Sequence, residues 1–162
     1  GFSLALRILR NREDAEEALQ DAFVRAWNGL PKFEGASSFA TWFYRILYNV
    51  CMTSLTKKGR KALFVEMDEA GIPDLAVEPE LPGDYAGAQM SDIVSRVSAV
   101  IGKLPEKYAS MISMFYLQEL TCAEIAEVTG LPSGKVKTHL FRARLLLQKE
   151  VLRELNNEHI AV

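Results

Sequence analysis

Lys135, Lys137, Arg142, Arg144 and Lys149 share the stretch LPSGKVKTHLFRARLLLQK, residues 131–149, which holds no acid although the chain's formal net charge is -2 at pH 7. Permanently charged donors of this kind do recognition chemistry. They give hydrogen bonds to phosphate oxygens and to guanine O6 and N7, and they exchange no proton at neutral pH. The groups that would break bonds do not occur in combination: there is no carboxylate pair with a histidine, no nucleophile motif and no glycine-rich phosphate loop. A small helical enzyme, for instance a nuclease, is therefore the least favoured reading. Cys51 and Cys122 are far apart, without CxxC spacing or a nearby histidine pair, and His139 and His159 have no clustered acid or thiol. No disulfide framework, no metal site and no cofactor are expected; the thiols read as buried and the histidines as surface residues.

Successive steps of 100° from Val136 bring Val136, Leu140, Ala143 and Leu147 into one narrow arc, the buried side of a helix. Lys135, Lys137, Thr138, Phe141, Arg142 and Lys149 fall on the opposite half, with His139 and Arg144 on the flanks. A merely solvated face normally mixes signs, and this one does not until Glu150. The segment in front supplies the rest of a motif. Thr121 and Glu124 have capping-box spacing, Thr129-Gly130-Leu131-Pro132 breaks the helix, and Ser133 restarts it. A short helix, a tight glycine turn and a longer basic helix make a helix-turn-helix suited to the DNA major groove, where Phe141 would meet a thymine methyl.

The N-terminal half concentrates aromatic residues. Phe33, Phe39, Trp42, Phe43, Tyr44 and Tyr48 all lie within KFEGASSFATWFYRILYN. Packing accounts for Trp42 and Phe43, but the short loop PKFEGASS, followed by Arg45 and Asn49 on a polar face, also suits an unstacked base and its backbone. Three helices are expected here. The first contains Leu4 and Ile8 and ends near Asn11. The second, NREDAEEALQDAFVRAWNGLP, has an apolar stripe that includes Ala15, Ala18, Leu19, Ala22, Phe23, Ala26, Trp27 and Leu30. The third is capped by Ser37 or Ser38 and buries Phe39, Trp42, Phe43, Ile46, Leu47 and Val50. The chain opens at Gly1 already inside an amphipathic pattern, as expected of a trimmed or processed chain.

Charge divides the chain. Residues 1–60 hold nine Lys or Arg against six acids, residues 61–90 one against seven, and residues 91–162 nine against eight. The acidic middle carries Pro73, Pro79, Pro82 and three glycines without a helical or strand period, so it reads as a flexible tether. Beyond it, Ile93, Val94, Val97, Val100, Ile101 and Leu104, then Tyr108, Met111, Ile112 and Phe115, mark two core helices. The expected fold is all-α: two small helical domains joined by a flexible acidic linker, the C-terminal one containing the helix-turn-helix. No apolar run approaches the roughly 20 residues that span a bilayer, so no membrane insertion and a cytoplasmic location are expected.

The order DAEEALQDAFVRAW, FEGASSFATWFYRILYN, an acidic tether, then LTCAEIAEVTGLPSGKVKTHLFRAR resembles the extracytoplasmic-function sigma factors of bacterial RNA polymerase over nearly the whole chain. The resemblance implies a protein that binds core RNA polymerase and directs promoter-specific initiation. Region two (1–60) would dock to the polymerase clamp and open the minus-ten element, and region four (91–162) would read the minus-thirty-five element. By motif it assigns Asp14, Glu17, Gln20 and Asp21 to polymerase binding. Phe33, Ser37, Ser38 and Asn49 go to the minus-ten DNA, and Lys137, Thr138, Phe141 and Arg142 to the minus-thirty-five DNA. Acids favouring a helix start account for Asp14 and Glu17 equally well, and capping for Ser37 or Ser38. Thr53 and Ser54 stand where many relatives have an acid, and His139 where an arginine is frequent. The resemblance also implies an anti-sigma partner, membrane-tethered in some relatives. The remaining rival is a stand-alone helix-turn-helix regulator, which would dimerise on paired half-sites without polymerase.

Overall fold

Alanine decides how the N-terminal helices meet. In the computed structural model the backbone is described for residues 1–61 and 90–160, with side chains at 90–96, 155 and 158–160 outside the description. The tether, and the expectations for Ile93, Val94 and His159, thus lie outside the described residues. The elements are α1 (Phe2–Leu9), α2 (Arg12–Gly29), a 3-10 turn (Leu30–Lys32), α3 (Phe39–Lys57), α4 (Met90–Lys103), α5 (Glu106–Ile112) running into a wide π turn (Ser113–Leu117), α6 (Cys122–Thr129) and α7 (Ser133–Ile160). Every regular element among the described residues is helical, as the sequence predicts.

Helix α2 buries only Ala15, Ala18, Ala22 and Ala26, small side chains that let its backbone approach α1 and α3 closely. Of the larger members of the expected stripe, Leu19 is half-buried against the core, Phe23 is 58% exposed but touches Phe43 of α3 at 5.0 Å between ring centroids, and Trp27 and Leu30 are 77% and 44% exposed. At 100° per residue the alanines occupy one side of the helix, and positions 20, 23, 24 and 27 the other. Helix α3 is likewise rotated from the expected register. It buries Thr41, Leu47, Tyr48, Val50, Cys51 and Leu55, while Phe39 is exposed and Trp42, Phe43 and Ile46 are half-buried.

The caps follow the sequence signals. Asn11 accepts from the Asp14 N–H at 2.9 Å to start α2, and Ser38, rather than Ser37, accepts from the Thr41 N–H at 3.1 Å to start α3. Thr121 and Glu124 form the complete capping box of α6, and Gly130 closes that helix at φ 73°, a left-handed conformation that glycine adopts without steric cost.

The two halves do not keep separate cores. One buried cluster joins Leu4 and Ile8 of α1, Ala15 and Ala22 of α2, and Leu47 and Cys51 of α3 to Met111, Met114, Ile125, Val128, Val136 and Leu140 of the C-terminal half. A smaller cluster, with Ile101, Leu104, Tyr108, Ala109, Ile112 and Ala143, lies within the C-terminal half. Because the buried residues of α2 are all alanines, with Leu19 packed at the margin, α1 and α3 retain apolar surface that α5 and α6 cover. Polar contacts reinforce the junction. The Arg10 guanidinium donates to the Gly102 and Leu104 carbonyls at the end of α4, and Arg60 donates to the Leu9 carbonyl at the end of α1. Both positions suit a cation at a helix C-terminus. Glu106 lies 4.0 Å from Arg10 and 3.5 Å from Arg60.

Candidate nucleic-acid interface

Helix α7 presents its basic side because its other side is anchored. Val136, Leu140 and Ala143 are fully buried, as the wheel requires. Lys135 and Lys137 project into solvent, and Thr138, Phe141 and Arg142 are half-buried at the margin. The Thr138 hydroxyl donates back to the Gly134 carbonyl at 3.0 Å, so its methyl is oriented by the helix itself. Arg144 is committed elsewhere: its guanidinium lies 5.5 Å from the ring centroids of both Phe115 and Tyr116. His139 departs from expectation. It is a core residue, 3% exposed, and meets Tyr108 edge-on.

The aromatic loop forms a compact cluster. Phe33 lies 4.9 Å from the Trp42 ring and 6.0 Å, edge-on, from Phe39. Ser37, half-buried in the preceding bend, and the capping Ser38 complete this group at the N-terminus of α3. Asn49 is exposed but does not join them; eleven residues along a helix place it about 16 Å down the axis from Ser38. Its carbonyl accepts from the Thr53 hydroxyl at 2.9 Å. Arg45, expected to share that polar face, pairs with Glu127 of α6 at 3.6 Å.

The four candidate docking residues of α2 fall into two settings. Asp14, Glu17 and Asp21 line a groove between α2 and α3 whose other wall carries Thr53, Ser54, Lys57 and Lys58. Asp14 pairs with Lys58, and Asp21 accepts from Arg25 Nε at 3.1 Å on both oxygens. Gln20 faces away from that groove, beside the exposed Phe23, Val24 and Trp27. This apolar face escaped the sequence reading, which placed Phe23 and Trp27 in the core stripe. The signal was present, since Ala15, Ala18, Ala22 and Ala26 already form a complete stripe alone.

Cys51 is buried, and burial pushes its thiol up to about 12; Cys122 is only half-buried. Burial likewise raises the Tyr48 phenol to about 12. Neither buried group is available as a nucleophile near neutral pH.

Comparison with known proteins covers both halves. Residues 2–61 match the family model Sigma-70 region 2, and residues 95–147 match Sigma-70, region 4. The chain is 33% identical over 160 residues to the ECF RNA polymerase sigma factor SigW of Bacillus subtilis, covering 95% of this chain and 83% of that protein. It is 31% identical to the ECF RNA polymerase sigma-E factor of Escherichia coli K12, covering 85% and 74%. Among solved structures, the sigma factor RpoE in complex with the anti-sigma factor NepR from Bartonella quintana superposes with a TM-score of 0.64 at 22% identity, covering 93% and 88% of the two chains.

Proposed function

The chain belongs to the extracytoplasmic-function sigma factors, which direct promoter-specific initiation by RNA polymerase, and from that membership we propose how its residues divide the work. Residues 1–60 serve as region two, 61–90 as the connecting segment and 91–162 as region four. Helix α2 docks to core polymerase through Gln20 with the flanking Asp14, Glu17 and Asp21. Phe33, Ser37 and Ser38 hold an opened base of the minus-ten element, Asn49 meets the same element at a separate point farther along α3, and Lys137, Thr138, Phe141 and Arg142 read the minus-thirty-five element in the major groove.

What carries this reading is the basic outer side of α7, held outward by the fully buried Val136, Leu140 and Ala143. Lys137 and Arg142 supply donors for phosphate and guanine, and Phe141 an apolar surface for a thymine methyl. The exposed Phe23, Val24 and Trp27 around Gln20 add a helix face suited to a protein partner, because large aromatic side chains dominate such contacts. Family members are transcription factors; this one does its work by binding, without bond-breaking chemistry of its own. Near-balanced charge in the described halves suppresses binding to arbitrary DNA, so promoter affinity comes from adding two readers on the polymerase through effective concentration.

A small anti-sigma protein is the expected inhibitor, seated on the exposed aromatic face of α2 and the DNA-facing side chains; the superposing RpoE was solved with one. No helix among the described residues is long and apolar enough to cross a membrane, and work on promoter DNA places the protein in the cytoplasm. Run-off transcription and gel shift with and without core polymerase test the assignment. Promoter binding and a specific transcript appear only with core enzyme. Tight binding by a dimer without polymerase would instead identify a stand-alone regulator.

A further inference from the structure

Arg7 carries a charge that no acid among the described residues balances; Glu106, the acid of this region, goes to Arg10 and Arg60. Arg7 is half-buried in the last turn of α1, where the helix dipole favours a cation. Its Nη1 donates to the Ser3 carbonyl at 3.3 Å and its Nη2 to the Ser98 hydroxyl of α4 at 2.8 Å. Its Nε is buried with no acceptor. The dipole accounts for a cation at this place but not for enclosing its Nε without a partner. Burial, with the charge of Arg10 adding to it, lowers the Arg7 pKa, yet a guanidinium keeps its proton at neutral pH. Enclosing such a charge is unfavourable unless an anion joins it.

Arg7 lines a groove of about 410 Å³ between α1 and α4. Ser3, Arg7 and Arg10 reach it from one side of α1, Ser98 and Gly102 from α4, and no acid lines it. Arg10 donates to the Gly102 and Leu104 carbonyls, so the end of α4, which would otherwise repel an anion, is already met by a cation. Ser98 accepts from Arg7 and keeps its own hydroxyl proton to donate. A guanidinium offers its donors in a fork matched to phosphate oxygens. Phe2 and Leu6, the latter 37% exposed, form an apolar wall beside these polar groups. The volume lies within the roughly 300 to 1,000 Å³ of small-molecule sites and leaves room beside a phosphate for a carbon body.

We propose that the groove between α1 and α4 binds a small phosphate monoester, its phosphate on Arg7, Arg10 and Ser98 and its carbon part against Phe2 and Leu6. The groove shares no lining residue with the proposed polymerase and DNA contacts, so this site goes beyond promoter recognition. Inorganic phosphate and pyrophosphate have the same head chemistry without the carbon body, and they separate the two parts of the site. Gly102 gives an independent handle. A Cβ there meets nothing within 4 Å, so Gly102→Glu can set a carboxylate beside Arg7 in the place of the anion.

Isothermal titration calorimetry of the full chain with adenosine 5′-monophosphate, inorganic phosphate and pyrophosphate, at constant ionic strength and without polymerase or DNA, tests the site. Phosphate stabilises folded proteins in general by exclusion from their surface, so affinity and its dependence on the variants are the readout. One nucleotide per chain is expected to bind, at least about ten-fold more weakly in Arg7→Gln, the scale of a lost charged hydrogen bond. Gly102→Glu should abolish binding and raise the ligand-free thermal midpoint above that of Gly102→Ala, which keeps binding. Leu6→Ala should weaken the nucleotide several-fold and leave inorganic phosphate unchanged. Lys149→Gln, on the basic side of α7, should change neither. If Arg7→Gln folds poorly, Gly102→Glu decides alone. No saturable binding at millimolar nucleotide would overturn the proposal, as would unchanged affinity in Gly102→Glu, loss in Lys149→Gln, or inorganic phosphate binding as tightly as the nucleotide. Loss of promoter affinity in Arg7→Gln with no binding of free phosphates would assign the groove to the DNA backbone and overturn it too. Each of these failures leaves the sigma-factor reading standing, because run-off transcription decides that.

Discussion

The His139 ring stands edge-on to Tyr108, with ring centroids 6.4 Å apart and an interplanar angle of 83°. The contact places a polar residue of the recognition helix in the core beneath its DNA-facing side, so the helix is held from below by a side chain that reads nothing itself. His139→Ala is expected to lower stability by about 1 to 3 kcal/mol through the space it leaves. Base preference on a promoter library should keep its pattern. Loss of discrimination at a single base pair, with the thermal midpoint unmoved, would assign His139 to the DNA instead.

Arg142 and Lys137 differ in what they are expected to contact. Arg142→Ala should cost about 1 to 3 kcal/mol of discrimination at one base pair of the minus-thirty-five element, the scale of one good base contact. Lys137→Ala should weaken all sequences alike and reduce the slope of log affinity against log salt by about 1. Competition binding of the polymerase complex to single-substituted promoters, repeated at several salt concentrations, distinguishes the two.

Trp27 is 77% exposed and contributes little to the fold from that position. Trp27→Ala should leave the denaturant midpoint within about 0.5 kcal/mol of the parent yet weaken core-polymerase binding by at least about ten-fold, as for an aromatic hot spot. Asp14→Asn is a useful companion, because it disrupts the Lys58 pair while the aromatic face remains. A smaller binding loss is expected from it.

Asn49 and Phe33 test the minus-ten assignment with different structural costs. Asn49 is exposed, so Asn49→Ala should slow promoter opening while leaving polymerase binding and folding intact. Phe33 packs on Trp42 and Phe39, so Phe33→Ala should also lose about 1 kcal/mol of stability. Stopped-flow opening assays beside urea titrations read both quantities. Unfolding of Asn49→Ala would mean a structural role alone.

Acid should weaken the capping box of α6. Hydrogen bonds from the Thr121 N–H and hydroxyl, with a smaller contribution from the Thr41 hydroxyl, hold the Glu124 carboxyl below the usual carboxylate range. A group whose folded pKa is depressed stabilises the fold above its unfolded value, about 4.3 for glutamate. That contribution disappears as pH falls through the lower folded value. Urea midpoints of the parent and Glu124→Gln should differ at pH 7 and converge as pH drops below about 4. A gap independent of pH would remove ionisation from the explanation.

Much of the molecule is legible in its order of residues because the relevant forces act within a few positions. The Thr121 and Glu124 capping box, the Gly130 break and the buried arc of Val136, Leu140 and Ala143 follow from neighbours three or four residues apart, and each is found where the pattern puts it. Helical content, and the basic side of the last helix, follow in the same way. The amphipathic faces of α2 and α3 were harder to assign. Alanine and large apolar residues both qualify as a stripe, and only the helices packed alongside decide which side is enclosed.

The sequence by itself thus determined the helices, their caps and the helix-turn-helix, all of them products of local periodicity and hydrogen bonding. Only the tertiary structure decided that Phe23 and Trp27 face outward, that His139 is enclosed against Tyr108, and that Glu124 reaches Thr41 across 83 positions of chain. Those outcomes depend on which surfaces meet when the two halves bury apolar area together, and no spacing within either half encodes that meeting.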